Sequence, residues 1–170
     1  MSQKAITIYT PSTAAAHIYA EDDAQVHRAL IGSSSGITLA DNLLACTIVN
    51  DNTVQLASGM YSMQGYLLSI PNGSTESLNV ASGAAGTYRR DLIVADFTRG
   101  GGDSADTLTF HIVQGESAAS EAAAVDPALT QNDLTTGGSR RQEALYRLII
   151  SGTTLSSVVR IAPFIGNVYQ

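Results

Sequence analysis

Gly32-Ser33-Ser34-Ser35-Gly36 is the one stretch whose residue types match a nucleophile motif, the G-x-S-x-G turn of serine hydrolases. That turn works where a strand runs into it and a helix leaves it, because the sharp elbow lifts the serine hydroxyl clear of the backbone. Here a helix-like segment precedes and a strand-like one follows, and His111 is the only histidine downstream to serve as a base. The stretch therefore reads as a flexible connection, and an esterase-like activity is the remotest reading of the sequence. His17, His27 and His111 lie 10 and 84 residues apart, which matches no zinc spacing. Asp103 and Asp106 follow Gly100-Gly101-Gly102 somewhat as in a calcium loop, but the closing Glu and the further oxygens are missing. The glycine triplet also lacks the Lys-Ser/Thr of a phosphate loop. Gly and Asp together are ordinary hairpin-turn chemistry. Asn72-Gly73-Ser74 has the form of a glycosylation acceptor, and an Asn-Gly turn accounts for it. Tyr61 and Tyr66 are close enough to share a strand pair and offer rings to a sugar, but the protein has no Trp, and tyrosines in β proteins mostly pack. No catalytic, cofactor-binding or metal-ligating residue is assigned, and no cofactor is expected.

Composition narrows the partners. A net charge of −6 and a pI near 4.8 argue against a nucleic-acid backbone, which needs a basic face. The pairs Arg89-Arg90 and Arg140-Arg141 are read as surface or interface charges rather than a phosphate site. Only 14% of residues are charged, a surface that suits burial against copies of itself, since interface cores are depleted in charge. Cys46 stands alone in an apolar run and reads as a small buried hydrophobe. No apolar stretch approaches the about 18 residues that span a bilayer, and no apolar h-region follows Met1-Ser2-Gln3-Lys4, so neither a membrane nor a Sec signal is expected.

The elements that must position these residues are mostly strands. Four pairs of apolar runs are joined by polar turns: 44–49 with 53–56, 66–70 with 77–80, 91–97 with 108–113, and 146–150 with 155–161. Short apolar runs around Asn-Gly or Gly-rich turns predict β-hairpins. The second pair is expected to turn at Pro71-Asn72-Gly73-Ser74. An opening strand is expected over Ala5-Ile6-Thr7-Ile8-Tyr9, and a strand-like start to the sheet region over 37–42. Glu21-Asp22-Asp23, helix formers from Ala24 to Ile31 and a closing Gly32 predict one short helix, with Val26, Leu30 and Ile31 toward the sheet and His27 on its exposed or capping side. Gly59 and Gly65 are expected at bulges or close approaches. Residues 115–142 read as one long loop, of the kind that usually carries function or a subunit contact. Ile93, Val94, Leu108, Phe110, Ile112, Leu148, Ile149 and Ile150 are the expected core.

Read in order, several stretches resemble one known family. They are His17 to Leu30, Gly36 to Asn42, Asn52 to Gly59, Met63-Gln64-Gly65, Arg89 to Ala95, Ile112 to Gly115, and Leu145-Tyr146-Arg147. The resemblance is to small virion structural proteins of tailed bacteriophages and prophages, and to the N-terminal modules of their baseplate, tail-fibre and neck-appendage proteins. It covers most of residues 17–160. It implies a non-enzymatic, oligomeric virion component. With the sequence ending at Gln170, the family's usual long receptor-binding region is not expected here, and a structural role is expected ahead of host recognition.

The resulting expectation is an all-β fold: an antiparallel β-sandwich with one short N-terminal helix, assembled as a homo-oligomer, with a trimer preferred. Residues 1–36 would be an N-terminal strand, linker and helix serving oligomerisation or attachment, and 37–170 the sandwich. Candidate subunit-interface residues are Val26, Leu30, Phe164, Ile165, Val168 and Tyr169. Expected partners are further copies of the protein and other phage virion proteins, with no nucleic acid and no membrane. The expected location is the virion, after synthesis in the host bacterial cytoplasm. A carbohydrate-binding receptor module, recognising a host-surface glycan, is the less favoured alternative.

Overall fold

The computed structural model describes residues 19–101 and 104–166. Its first element is the helix α1, Ala20–Ile31. Three acids fill the first turn and Arg28 the last, matching the helix dipole, and the Gly32 N–H closes the end on the Arg28 carbonyl. The Tyr19 N–H donates to the Asp22 carboxylate at 2.7 Å, which satisfies one of the free donors at the helix start.

The expected inward stripe of α1 is not observed. Val26 is 37% and Leu30 58% exposed, Ile31 is half-buried, and Asp22 and Ala24 are the buried residues. The reason is the docking site. The helix rests on the tight turn at Gln64-Gly65, where a Cβ on Gly65 would stand 2.1 Å from the Ala24 carbonyl oxygen. Backbone and small residues make the approach, and polar groups fasten it. His27 Nδ1 lies 2.9 Å from the Gly65 carbonyl oxygen, and Arg28 Nη1 donates to the Gln64 carbonyl at 2.8 Å. His27 thus faces the sheet, not the outside.

The strands are β1 (Gly36–Thr38), β2 (Cys46–Asn50), β3 (Thr53–Met63), β4 (Tyr66–Asn79), β5 (Tyr88–Thr98), β6 (Thr107–Val113), β7 (Arg140–Ser151), β8 (Thr154–Arg160) and β9 (Phe164–Ile165). They form two sheets. In the first, β3 is central: β4 pairs along one side of it, while β2 and then β1 share the other, and β9 lies outside β1. The second has the order β6-β5-β7-β8. The core joins both, with Val54, Leu56, Tyr61 and Met63 from β3 meeting Ile93, Ala95 and Phe97 from β5 and Leu145, Leu148 and Ile150 from β7. The fold is mostly β and sandwich-like.

Three of the four expected hairpins are present, as β2–β3, β5–β6 and β7–β8. The second is not. Residues 66–79 form a single long strand, and its hairpin partner is β3, reached through Gln64-Gly65. The β3–β4 ladder steps from Gly59↔Ile70 to Ala57↔Thr75, so Ser58 alone stands opposite Pro71 to Ser74. The Pro-Asn-Gly-Ser signal marks a bulge. Gly59 sits at that irregularity with φ +154°, and a Cβ there would fall 2.5 Å from the Leu44 backbone nitrogen, the close approach its position suggested.

Other expectations also shift. The strand expected over 37–42 ends at Thr38, and Asp41, Leu43 and Leu44 take positive φ in the turn that follows. The long loop ends earlier than expected, because Arg140 to Gln142 already belong to β7. Among the described residues one pairing, β1 with β9, is parallel in an otherwise antiparallel arrangement. Ile93, Leu148 and Ile150 are in the core as expected. Leu108, Phe110 and Ile112 are only partly buried, because β6 is an edge strand, and Ile149 is half-buried, on the face opposite Leu148 and Ile150. Val94 is buried but lies outside the core cluster, as do Leu92 and Ala124. Residues 114–139, with one-turn helices at Glu121–Ala123 and Leu134–Thr136, bridge to β5 at Tyr88↔Ala118 and to β7 at Gln131↔Arg141. The long loop is thereby tied to the second sheet at both ends. The expected strand over residues 5–9 lies outside the described residues.

Candidate functional site

A partly polar concavity opens where β3, β7 and two connections meet. It is a groove of about 520 Å³ lined by Ser33, Ser34 and Ser35, by Tyr61, Arg141 and Glu143, and by Leu129, Ile161 and Pro163 among others. Arg141 and Glu143 stand two residues apart on β7 and so project to the same side of the sheet. The Arg141 Nε donates to Glu143, and the Tyr61 hydroxyl donates to the other carboxylate oxygen at 2.7 Å. Arg141 Nη1 also donates to the Gln131 and Asn132 carbonyls, which fixes the loop wall. Burial pushes the Tyr61 phenol well above its ordinary range, and the Glu143 charge and hydrogen bond push it further. Tyr61 is therefore a proton donor in a fixed bond, not a base. On the third side, Ser35 Oγ accepts from the Gln64 N–H at 3.0 Å, and the Gln64 side chain ties Asp133 and Leu134 to the same wall.

Chemically, this groove holds a neutralised ion pair, hydroxyls and apolar edges. The three serines lie between the end of α1 and the start of β1, the reverse of the strand–elbow–helix order a hydrolase needs, and no histidine lines the groove. His111 lies elsewhere, on β6, with Nε2 3.5 Å from the Asp96 carboxylate. His17 and Asp103 are outside the described residues. Asp106 accepts from the Gly100 N–H at 2.8 Å, which is turn chemistry. Among the described residues no cluster of three metal-ligating side chains is found. Burial pushes the Cys46 thiol up to about 12, so it is protonated at neutral pH.

Five of the arginines are held in ion pairs. Arg89, expected at the surface, is buried and forms a two-bond pair with the fully buried Asp91, at 2.8 and 2.9 Å. Arg140 pairs with Asp96, Arg147 with Asp126, and Arg99 with Glu21 at the helix start. Arg160 lies 3.8 Å over the Phe164 ring. Two of these pairs have a signal that sequence reasoning passed over. Arg89-x-Asp91 and Arg141-x-Glu143 are opposite charges at i and i+2 inside apolar strands, which share a face and neutralise each other. The pairs with Asp96 and Asp126 join residues 44 and 21 apart and left no local signal.

Of the candidate interface residues, Val26 and Leu30 are exposed on α1, and Phe164 is exposed on β9 beside β1. Ile165 is half-buried opposite Thr38. Val168 and Tyr169 lie outside the described residues. Other exposed apolar groups are Ile48 and Val49, on β2 at one edge of the first sheet. Among the described residues no helix is long and apolar enough to cross a membrane. Comparison of the protein with known families, with curated proteins and with solved structures finds no match in any of the three.

Proposed function

We propose that the protein is a non-enzymatic structural component of a tailed-phage virion, in a tail, baseplate or appendage, acting through self-assembly into a homo-oligomer and contacts with other virion proteins. The observation that carries the assembly half is the β2 edge. Cys46-Thr47-Ile48-Val49-Asn50 is uncharged and mostly exposed, and it lacks the lysine, proline or inward charge that keeps edge strands from pairing with other chains. The virion half rests on the sequence resemblance. The interior adds a consistent background: the buried carboxylates Asp91 and Glu143 are held by structural partners, as in a scaffold whose polar groups serve rigidity. Light scattering at micromolar concentration should give a multiple of the monomer mass, with three copies preferred. A monomer mass would defeat the proposal. Immunogold labelling of intact particles tests the location, and absence of label from particles would remove the virion reading.

The groove favours a second reading, a saccharide-binding module. Its guanidinium, carboxylate and serine hydroxyls match a hydroxyl-rich ligand, with Leu129, Ile161 and Pro163 as apolar edges, and its volume lies within the range of small-ligand sites. A glycan array decides it: binding that Arg141→Ala abolishes supports the module, and an array without signal removes it.

A further inference from the structure

Asn72-Gly73 is a motif that the proposed function does not use. It is the only Asn-Gly pair in the sequence; the other asparagines precede Leu43, Asp51, Thr53, Val80, Asp133 and Val168, all with side chains. It lies in the bulge of β4, where Pro71 to Ser74 have no ladder partner on β3 and are all exposed. Gly73 has φ +81°, and a Cβ built there would meet nothing within 4 Å. The Asn72 side chain makes no hydrogen bond to the described residues. The comparison asparagines are held. Asn52 Nδ2 donates to the Val80 carbonyl at 3.0 Å and to Ser82 at 2.8 Å, and Asn132 Oδ1 accepts from the Arg140 N–H at 3.2 Å.

We propose that Asn72 is a self-modification site, where the folded protein loses an amide and gains a negative charge. The backbone nitrogen of Gly73 gives up its proton and attacks Cγ of Asn72. A new bond forms between that nitrogen and Cγ, the Cγ–Nδ2 bond breaks, and the amide nitrogen leaves as ammonia. The five-membered succinimide that results takes up one water at either carbonyl and opens to aspartate or to isoaspartate. Water is the only co-reactant, and no electron changes hands. A glycine at the attacking position leaves its nitrogen unshielded, and the unpaired, exposed bulge leaves the side chain room to swing onto it. The isoaspartate product lengthens the backbone by one carbon. The bulge absorbs this because the ladder is already out of step there, so the sandwich persists through the change. The new carboxylate joins Glu76 on the same strand of an already acidic protein.

The test incubates the folded protein at neutral and mildly alkaline pH and follows each asparagine by peptide mass mapping, with isoaspartyl methyltransferase labelling as a second readout. The fragment with Asn72 should gain one mass unit before any other asparagine does, faster at the higher pH, at a rate within a few-fold of the urea-unfolded protein. Asn72→Gln, whose ring would have six members, should lose both signals while circular dichroism stays unchanged. An Asn72 amide that survives in the folded protein while the unfolded protein loses it would overturn the proposal, as would earlier loss at Asn52 or Asn132.

Discussion

Strand β5 carries two carboxylate–arginine pairs, one at each end and one on each face. Asp91 shares the inward face with Ile93, Ala95 and Phe97, and Asp96 shares the outward face with Leu92 and Val94. The inward pair is sealed: Asp91 is 0% and Arg89 4% exposed. Its polar atoms are correspondingly well served, with two bonds between the partners, the Gly115 N–H on Asp91, and the Ala81 carbonyl on Arg89 at 2.6 Å. The outward pair is open only on its arginine side: Asp96 is itself 7% exposed, but Arg140 is 47% exposed and His111 stands beside it in contact with solvent. The same two functional groups therefore do different work. Solvent cannot replace a lost partner at Asp91, and it can at Arg140. The sealed pair acts as a clamp on three segments of backbone, while the open one orders a surface.

The largest effect should come from breaking the clamp. Asp91→Asn leaves the Arg89 charge buried and uncompensated, and should cost about 3–5 kcal/mol in chemical denaturation. Replacing both partners together, Arg89→Met with Asp91→Leu, should recover most of that loss, since no charge is then left dry. If Asp91→Asn costs no more than Asp96→Asn, the distinction between sealed and open pairs fails.

Next in size is the tie across the sandwich. Tyr61 on β3 and Glu143 on β7 join the two sheets through one hydrogen bond beside the groove. Tyr61→Phe keeps the ring and removes the donor, leaving a buried carboxylate oxygen short of one partner. A loss of about 1–3 kcal/mol is expected by the same denaturation measurement. A smaller loss would mean that water enters the groove and replaces the phenol.

How much of this is legible in the sequence depends on the range of the interaction. Local signals read well: the acids before Ala24, the Gly32 stop, the apolar runs of β5 and β7, and the demand for glycine at positions 59 and 65. Signals with two physical meanings mislead. Pro71-Asn72-Gly73-Ser74 is turn chemistry, and a bulge uses the same residues; only the position of β3 decides between them. The helix stripe misleads because Val26 and Leu30 have helical spacing, yet docking is set by Gly65, forty-one residues beyond Ala24. Of the groove, the serines stand out in the sequence but follow a helix and precede a strand, and the structure has that same order. Arg141 and Glu143 are within reach as a strand i, i+2 pair. Their meeting with Tyr61, 82 residues from Glu143, is not.

The outward pair should respond to acid. Burial works against the ionised Asp96, but its hydrogen bonds from Arg140 and Gln142 outweigh that and hold its pKa below the ordinary value. A lowered folded pKa means that its contribution is complete above the unfolded value of about 4 and fades as pH falls through the folded one. Asp96→Asn should therefore cost on the order of 1 kcal/mol at neutral pH, allowing for solvent screening, and nothing once both states are protonated. Stability measured from neutral to acid pH should show the variant and parent curves converging. Parallel curves would mean that the carboxylate's charge is not what Arg140 recognises.

The smallest expected effect carries the comparison of satisfied and unsatisfied groups to its simplest form, two serines on β3. Both are buried. The Ser58 hydroxyl takes a hydrogen bond from Asn42 Nδ2 at 2.7 Å, while Ser62 Oγ has no partner among the described residues. The same substitution should then have opposite signs. Ser58→Ala removes the bond from the exposed Asn42 amide that holds the turn beside Gly59, so it should cost about 1 kcal/mol. Ser62→Ala removes a hydroxyl that was desolvated without compensation, and it should be neutral or stabilising by up to about 1 kcal/mol. Alanine is close in volume to serine and suits neither strand position better than the other, so propensity cancels between the two variants. Thermal denaturation of the pair resolves the sign even where the size is near the error. If Ser62→Ala destabilises as much as Ser58→Ala, the hydroxyl at position 62 has a partner after all, and a bound water under that strand is the first one to look for.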